Sequence, residues 1–96
     1  KRYPMIKLLN LLTDKHTLYD TIVVSANDVL VELFLQKKIK FTEINIKLLK
    51  FIKEKEFLKY KNIYPQKLND ILNLNKYVRL KVLEKVYKSS NVKKHG

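Results

Sequence analysis

Glycine is nearly missing from this 96-residue chain; the one example is Gly96, at the very end. That absence excludes a phosphate-cradling loop, a dinucleotide fingerprint and a nucleophile elbow, each of which needs glycine where the backbone turns tightly or approaches a ligand. Cysteine is absent altogether, so no disulfide framework and no thiolate zinc site can form. Proline is confined to Pro4 and Pro65, which leaves few breaks in the backbone pattern. Arginine is scarce as well: the net charge is +12, yet only Arg2 and Arg79 are arginines. A basic chain can bind nucleic acid or anionic membrane, but bidentate base readout leans on arginine, and the lysines here are scattered. A bias towards Lys, Asn and Ile also follows from a low-GC genome, where it carries no functional meaning. The longest apolar run is interrupted by Asn27, Asp28 and Glu32, too soon for a membrane span.

What is present is the composition of a folded protein, 46% hydrophobic and 31% charged, at a length that allows one small domain. The chain starts at Lys1 and its single methionine is Met5, so it reads as a piece of something longer. Nothing in it resembles a signal or transit segment. Apolar residues recur at helical spacing throughout, with no internal repeat.

Pro4 suits the first turn of an opening helix, where its missing N–H costs nothing. Ile6, Leu8, Leu9 and Leu12 supply that helix's apolar side before residues 13–19 interrupt it. A second helix is expected over residues 21–36. Thr21, Ser25, Asp28, Glu32 and Gln36 share one stripe of it, and the stripe reads as the solvated face. Val23, Val24, Ala26, Leu30, Val31, Leu33, Phe34 and Leu35 fill the rest of the wheel, the pattern of a central bundle helix. Asn27 points about 160° from the stripe, into the apolar side. A third helix starts with Thr42 as N-cap, Glu43 in its first turn, and Phe41 with Ile46 at the spacing of a hydrophobic staple. Ile44, Leu48, Phe51, Ile52 and Lys55 lie on one side of it, and Lys47, Lys50 and Glu54 on the other. Residues 60–66 read as a loop and residues 67–72 as a short helical turn. Asn75 is placed as the cap of a last helix to Lys88, with Val78, Val82, Leu83 and Val86 inward. The expected fold is all-α, an antiparallel bundle of about four helices over residues 1–88, with 89–96 a frayed polar tail.

Few residues are grouped for chemistry. Asp28 and Glu32 have the i,i+4 spacing that can chelate a cation or share a proton, but a solvated stripe accounts for them equally. His16 and His95 fall in a loop and in the tail, and neither has the partners of a triad or a metal site. Asn27 has two readings: a buried polar pin that sets how segments pack, or an amide that reaches a ligand at a domain boundary. Lys81, Lys85 and Lys88 form a basic line on the last helix, with Tyr60, Tyr64, Tyr77 and Tyr87 as stacking groups. Such a line serves nucleic acid or acidic membrane, or is an ordinary solvated face.

Order and spacing resemble one family. Arg2-Tyr3-Pro4 leads into Ile6-Lys7-Leu8, then Ser25-Ala26-Asn27-Asp28, Phe34-Leu35, and Ile39-Lys40-Phe41-Thr42-Glu43-Ile44. Pro65 and Leu68-Asn69-Asp70-Ile71-Leu72 follow, ahead of Arg79. Together, in order, these are similar to the C-terminal helical domain of 1-deoxy-D-xylulose 5-phosphate reductoisomerase. The resemblance implies a parent enzyme of the non-mevalonate isoprenoid pathway that makes 2-C-methyl-D-erythritol 4-phosphate with NADPH and a Mg or Mn ion. It further implies a homodimer whose nucleotide-binding and metal-binding domains precede Lys1, in a bacterial cytoplasm or a plastid-type organelle. This domain would pack against those domains, bind neither nucleic acid nor membrane, and hold no catalytic, cofactor or metal residue. Val24 and Asp28 depart from the family's usual Asn and Glu, and Leu30 and Glu32 replace smaller residues. The contrasting reading is a free-standing basic helical module that binds nucleic acid or anionic membrane.

Overall fold

The helix from Leu18 to Leu35, α2, is the hub on which the other elements are laid. The computed structural model describes the backbone of residues 5–95 and the side chains of residues 6–88. The expectation for Pro4, and those for Arg2, Tyr3, the side chain of His95 and Gly96, lie outside them. Ahead of α2 comes α1, Met5–Thr13. After it come α3, Phe41–Ile52, and a single helical turn α4, Lys55–Leu58. A 3-10 turn, Lys59–Asn62, and a linker then lead into α5, Leu68–His95. No strand occurs among the described residues, so the all-α expectation holds. α2 packs against α1, α3, α4, the 3-10 turn and α5, which confirms the central helix read from its apolar wheel.

The core follows from this arrangement. Ile22, Ala26, Val29, Leu30 and Leu33 of α2 are buried with Leu8 and Leu11 of α1, Ile44 and Phe51 of α3, and Ile71, Leu74, Val78 and Val82 of α5. Each such side chain contributes about 1.5–3 kcal/mol when fully buried, so the hub helix carries a large share of the stability. The inward faces of α3 and α5 match expectation, with Leu48, Ile52, Leu83 and Val86 packed around the core. Phe57 was not anticipated. Although α4 is only one turn long, its Phe57 is 0% exposed and packs at 4.7 Å on Phe51 and edge-on at 6.5 Å to Tyr77. The single phenylalanine, with no helical period around it, gave no pattern to read.

Several boundaries differ from expectation for identifiable reasons. The second helix starts at Leu18, where the Leu18 N–H donates to the Ile63 carbonyl at 2.7 Å and so gains a partner outside the helix. α3 starts one residue before Thr42: Lys40 is its cap residue, and its N–H donates to the Glu43 carboxylate at 2.6 Å. Phe41 is thus the first helical residue; it stacks edge-on with Phe34 at 5.5 Å, and Ile46 is exposed, so no staple forms. Lys55 belongs to α4, because α3 stops at Ile52. Residues 67–72 and the expected last helix are one continuous α5. Its start is capped by Asp70, whose carboxylate accepts from the N–H groups of Gln66 and Lys67 at 2.8 and 3.3 Å. Asn75 is therefore free for a tertiary bond. The backbone of α5 is helical to His95, past the boundary drawn at Lys88. On α1, Leu8 and Leu11 face inward, whereas Ile6 and Leu9 are exposed.

The lack of glycine shows at two helix ends. After α1, His16 N–H reaches the Leu11 carbonyl and Lys15 N–H that of Leu12; after α2, Lys38 reaches Leu33 and Lys37 reaches Phe34. Both are Schellman closures, which place one residue in the left-handed region, usually glycine. Here the residues are Lys15 and Lys37, at φ 59° and 63°. A side chain with a Cβ is disfavoured there. Lys15→Gly and Lys37→Gly are each expected to stabilise the protein by roughly 0.5–1 kcal/mol, net of the added chain entropy of glycine. Urea unfolding would show this as a higher midpoint at unchanged slope; a lower midpoint for both would contradict it.

Candidate functional site

The polar stripe of α2 is its wet side only at Gln36, which is exposed. Thr21 and Ser25 are both 0% exposed, and Asp28 and Glu32 are half-buried. α1 and α5 converge on this stripe, and each of its deeper polar residues but one finds a partner there. Ser25 Oγ donates to Asn75 Oδ1 at 2.6 Å. Asp28 takes the Lys7 ammonium of α1 at 3.1 Å, and Glu32 takes the Arg79 guanidinium of α5 at 3.0 Å. Thr21 is the exception, its buried Oγ1 having no hydrogen-bond partner among the described residues. The error in the sequence reading has a physical cause. Helical spacing shows which residues share a face, and polar partners from α1 and α5 allow a polar face to be buried.

Asn27 moves the opposite way. It is half-buried rather than buried, and its side chain makes no hydrogen bond among the described residues, so it is not an internal pin. Val23, Val24, Val31 and Phe34 around it are also only half-buried, and Leu35 is exposed.

The other candidates are dispersed. His16 Nδ1 lies 2.8 Å from Asp20 at an exposed site, with no nucleophile in reach. Lys81 pairs with Glu84 at 3.9 Å and lies 5.9 Å from the Tyr77 ring; Lys85 pairs with Glu54 at 2.8 Å. Part of the basic line is thereby neutralised within the domain. A shallow groove of about 230 Å³ between α3 and α5 has Leu30, Phe51, Val82 and Val86 as its floor and Lys47, Lys50, Lys85 and Glu54 at its rim. The hydrogen bond that the Lys85 ammonium donates to the Glu54 carboxylate holds it above the ordinary lysine range; a smaller desolvation effect opposes this, and the field of Glu54, Glu56 and Glu84 adds to it.

Among the described residues no three His, Asp or Glu side chains gather where they could hold an ion. Asp28 and Glu32, the one i,i+4 carboxylate pair on α2, are each turned to a cation of a neighbouring helix. No helix, among the described residues, is long and apolar enough to cross a membrane.

The chain matches the family model of the DXP reductoisomerase C-terminal domain over residues 1–81. The chain belongs to that family. It is 49% identical over 81 residues to the 1-deoxy-D-xylulose 5-phosphate reductoisomerase of Pelagibacter ubique (strain HTCC1062), covering 84% of this chain and 21% of that relative. The chain thus spans about a fifth of the length of the curated relative it matches. No solved structure matches it. The motif Ser25-Ala26-Asn27-Asp28 of this C-terminal domain can now be read in space: Ser25 faces α5, Ala26 the core, Asp28 α1, and Asn27 the outside.

Two neighbouring hydroxyls give opposed expectations. Thr21→Val replaces an orphaned buried hydroxyl by a methyl and should stabilise by about 1 kcal/mol, whereas Ser25→Ala strips Asn75 of its donor and should cost about 1 kcal/mol. Chemical unfolding of both variants measures this; shifts of the same sign would contradict it. The Lys85–Glu54 pair should stabilise by less than about 1 kcal/mol, as exposed pairs do. Because the folded ammonium holds its proton more tightly than the unfolded one, that contribution is full below the ordinary lysine value. It fades as pH rises through the folded one. The stability difference between the wild type and Lys85→Met should therefore be flat near neutrality and shrink in strong alkali.

Proposed function

We propose that the chain is the C-terminal domain of an active 1-deoxy-D-xylulose 5-phosphate reductoisomerase, which isomerises and reduces its sugar phosphate to 2-C-methyl-D-erythritol 4-phosphate. The observation that carries this is the family match from residue 1 to residue 81, with near one-in-two identity to a relative of that name. NADPH and a divalent Mg or Mn ion serve the parent enzyme and are held by its other domains. The domain's own role is structural: residues 1–88 form a bundle that packs on the catalytic part, residues 89–96 form its polar tail, and no residue of it enters the chemistry. The parent is a homodimer located in a bacterial cytoplasm or a plastid-type organelle, and the domain binds neither nucleic acid nor membrane. Pairing of Lys81 and Lys85 with Glu84 and Glu54 supports an ordinary solvated face over a polyanion site.

The test is an assay of the full-length protein. Oxidation of NADPH dependent on 1-deoxy-D-xylulose 5-phosphate, lost with a metal chelator and restored by Mg or Mn, is expected. A folded full-length protein with no such turnover would overturn the activity.

A further inference from the structure

α2 is enclosed on most sides, but not on all. Leu18, Thr21, Ile22, Ser25, Ala26, Val29, Leu30 and Leu33 occupy its buried arc. At 100° per residue, Val23, Asn27, Val31 and Phe34 fall within about 80° of one another on the opposite side. All four are half-buried, and Leu35 beside them is 70% exposed. α3 extends this face through Phe41 and Leu49, 70% and 52% exposed; Val31, Phe34, Leu48 and Ile52 lie at its base, packed against the core and half-open to solvent. The edge-on contact of Phe34 with Phe41 joins the two helices into one surface. Polar residues on the same arcs are Asn27 and Asp20 of α2 and the exposed Asn45 of α3; Asp20 pairs with His16, and Asn27 is the half-buried amide among them. Water satisfies such an amide while the face is open, and whatever covers the face has to supply a donor and an acceptor instead.

Two other surfaces compete less well. The α5 stripe of Leu72, Leu80 and Leu83 carries Lys76 and Arg79 within it. The groove between α3 and α5 is rimmed by Lys47, Lys50 and Lys85. An exposed apolar face of this kind is uncommon on a free-standing domain and marks an interface.

We propose that the α2–α3 face, with Asn27 at its centre, docks onto the catalytic portion of the same chain and that the Asn27 carboxamide pairs with backbone groups there. This rests on the reading of the chain as a reductoisomerase C-terminal domain. The occupant follows from the length of chain outside the structure: the match covers 21% of the relative, and a C-terminal domain has the remainder ahead of it. That remainder joins at the start of α1, which lies along α2 through the Lys7–Asp28 pair and so borders the face. A tether of this kind holds its own remainder at an effective concentration of about millimolar, above what a second copy ordinarily reaches.

The experiment uses the full-length protein with Asn27→Cys or Leu35→Cys, and with Asn73→Cys on the exposed side of α5 as reference. Alkylation by N-ethylmaleimide is followed on the corresponding peptide by mass spectrometry. Both face thiols are expected to react at least about ten-fold more slowly than the reference, because a thiol reacts only when reached from solvent. Protection is expected to survive roughly hundred-fold dilution, since an intramolecular contact does not depend on concentration. Reaction at the reference rate overturns the proposal, and protection lost on dilution overturns it in favour of a second copy. If Asn27→Cys does not fold, Leu35→Cys, at an exposed position, decides alone. Turnover of the unsubstituted protein separates the two readings: turnover with unprotected thiols removes the docking face only, and protection without turnover removes the activity only.

Discussion

Everything in this domain depends on burying α2 from three directions at once while it carries a line of polar side chains. Ser25 cannot be enclosed without a partner, since a buried unpaired polar group costs about 1–3 kcal/mol, and the half-buried Asp28 and Glu32 are each met by a cation at the edge of the same line. The positions of α1 and α5 answer that constraint. Lys7, Asn75 and Arg79 stand where they complete the line, at 3.1, 2.6 and 3.0 Å. Apolar packing alone would tolerate either helix sliding along α2; three polar pairs at fixed heights do not. The register of the bundle is therefore set by polar chemistry and its stability by the apolar core around it.

This division explains what could be read from the sequence. The helical period, the central role of α2, the inner faces of α3 and α5, and the kinship carried by the motifs from Arg2 to Arg79 were all legible, because each is a pattern within one segment. The direction of the α2 stripe was not. Spacing put Thr21, Ser25, Asp28 and Glu32 together correctly, but only the arrival of Lys7, Asn75 and Arg79 from distant segments decides that the stripe points inward. Asn27 was misplaced by the same assumption, that the side opposite a polar stripe must be the core. Asn75, read as a cap, is a mid-helix residue because α5 starts at Leu68 with Asp70 capping it, which leaves the Asn75 side chain to accept from Ser25. Phe57, buried in one turn of helix, left no periodic trace.

The functional part divides similarly. Composition excluded the glycine-dependent sites, and the structure gathers no metal ligands among the described residues. What sequence alone could not show is that the family motif at Ser25-Ala26-Asn27-Asp28 points in four directions, three of them inside the domain. The fourth leaves Asn27 half-buried at the edge of the domain.

The backbone bond from Leu18 N–H to the Ile63 carbonyl, 2.7 Å long, has a topological meaning beyond the start of α2. It closes residues 18 and 63 on each other, so that α2, α3, α4 and the 3-10 turn form one lap whose ends meet, with α1 before it and α5 after it packed together on the same stripe of α2. A change in chain length inside such a lap, at the turn around Lys53, is absorbed locally. Lengthening a closed loop costs little, about 0.6 kcal/mol for each doubling, and the joined ends do not move. The joined ends thus keep α1 and α5 in register with each other whatever the length of that turn.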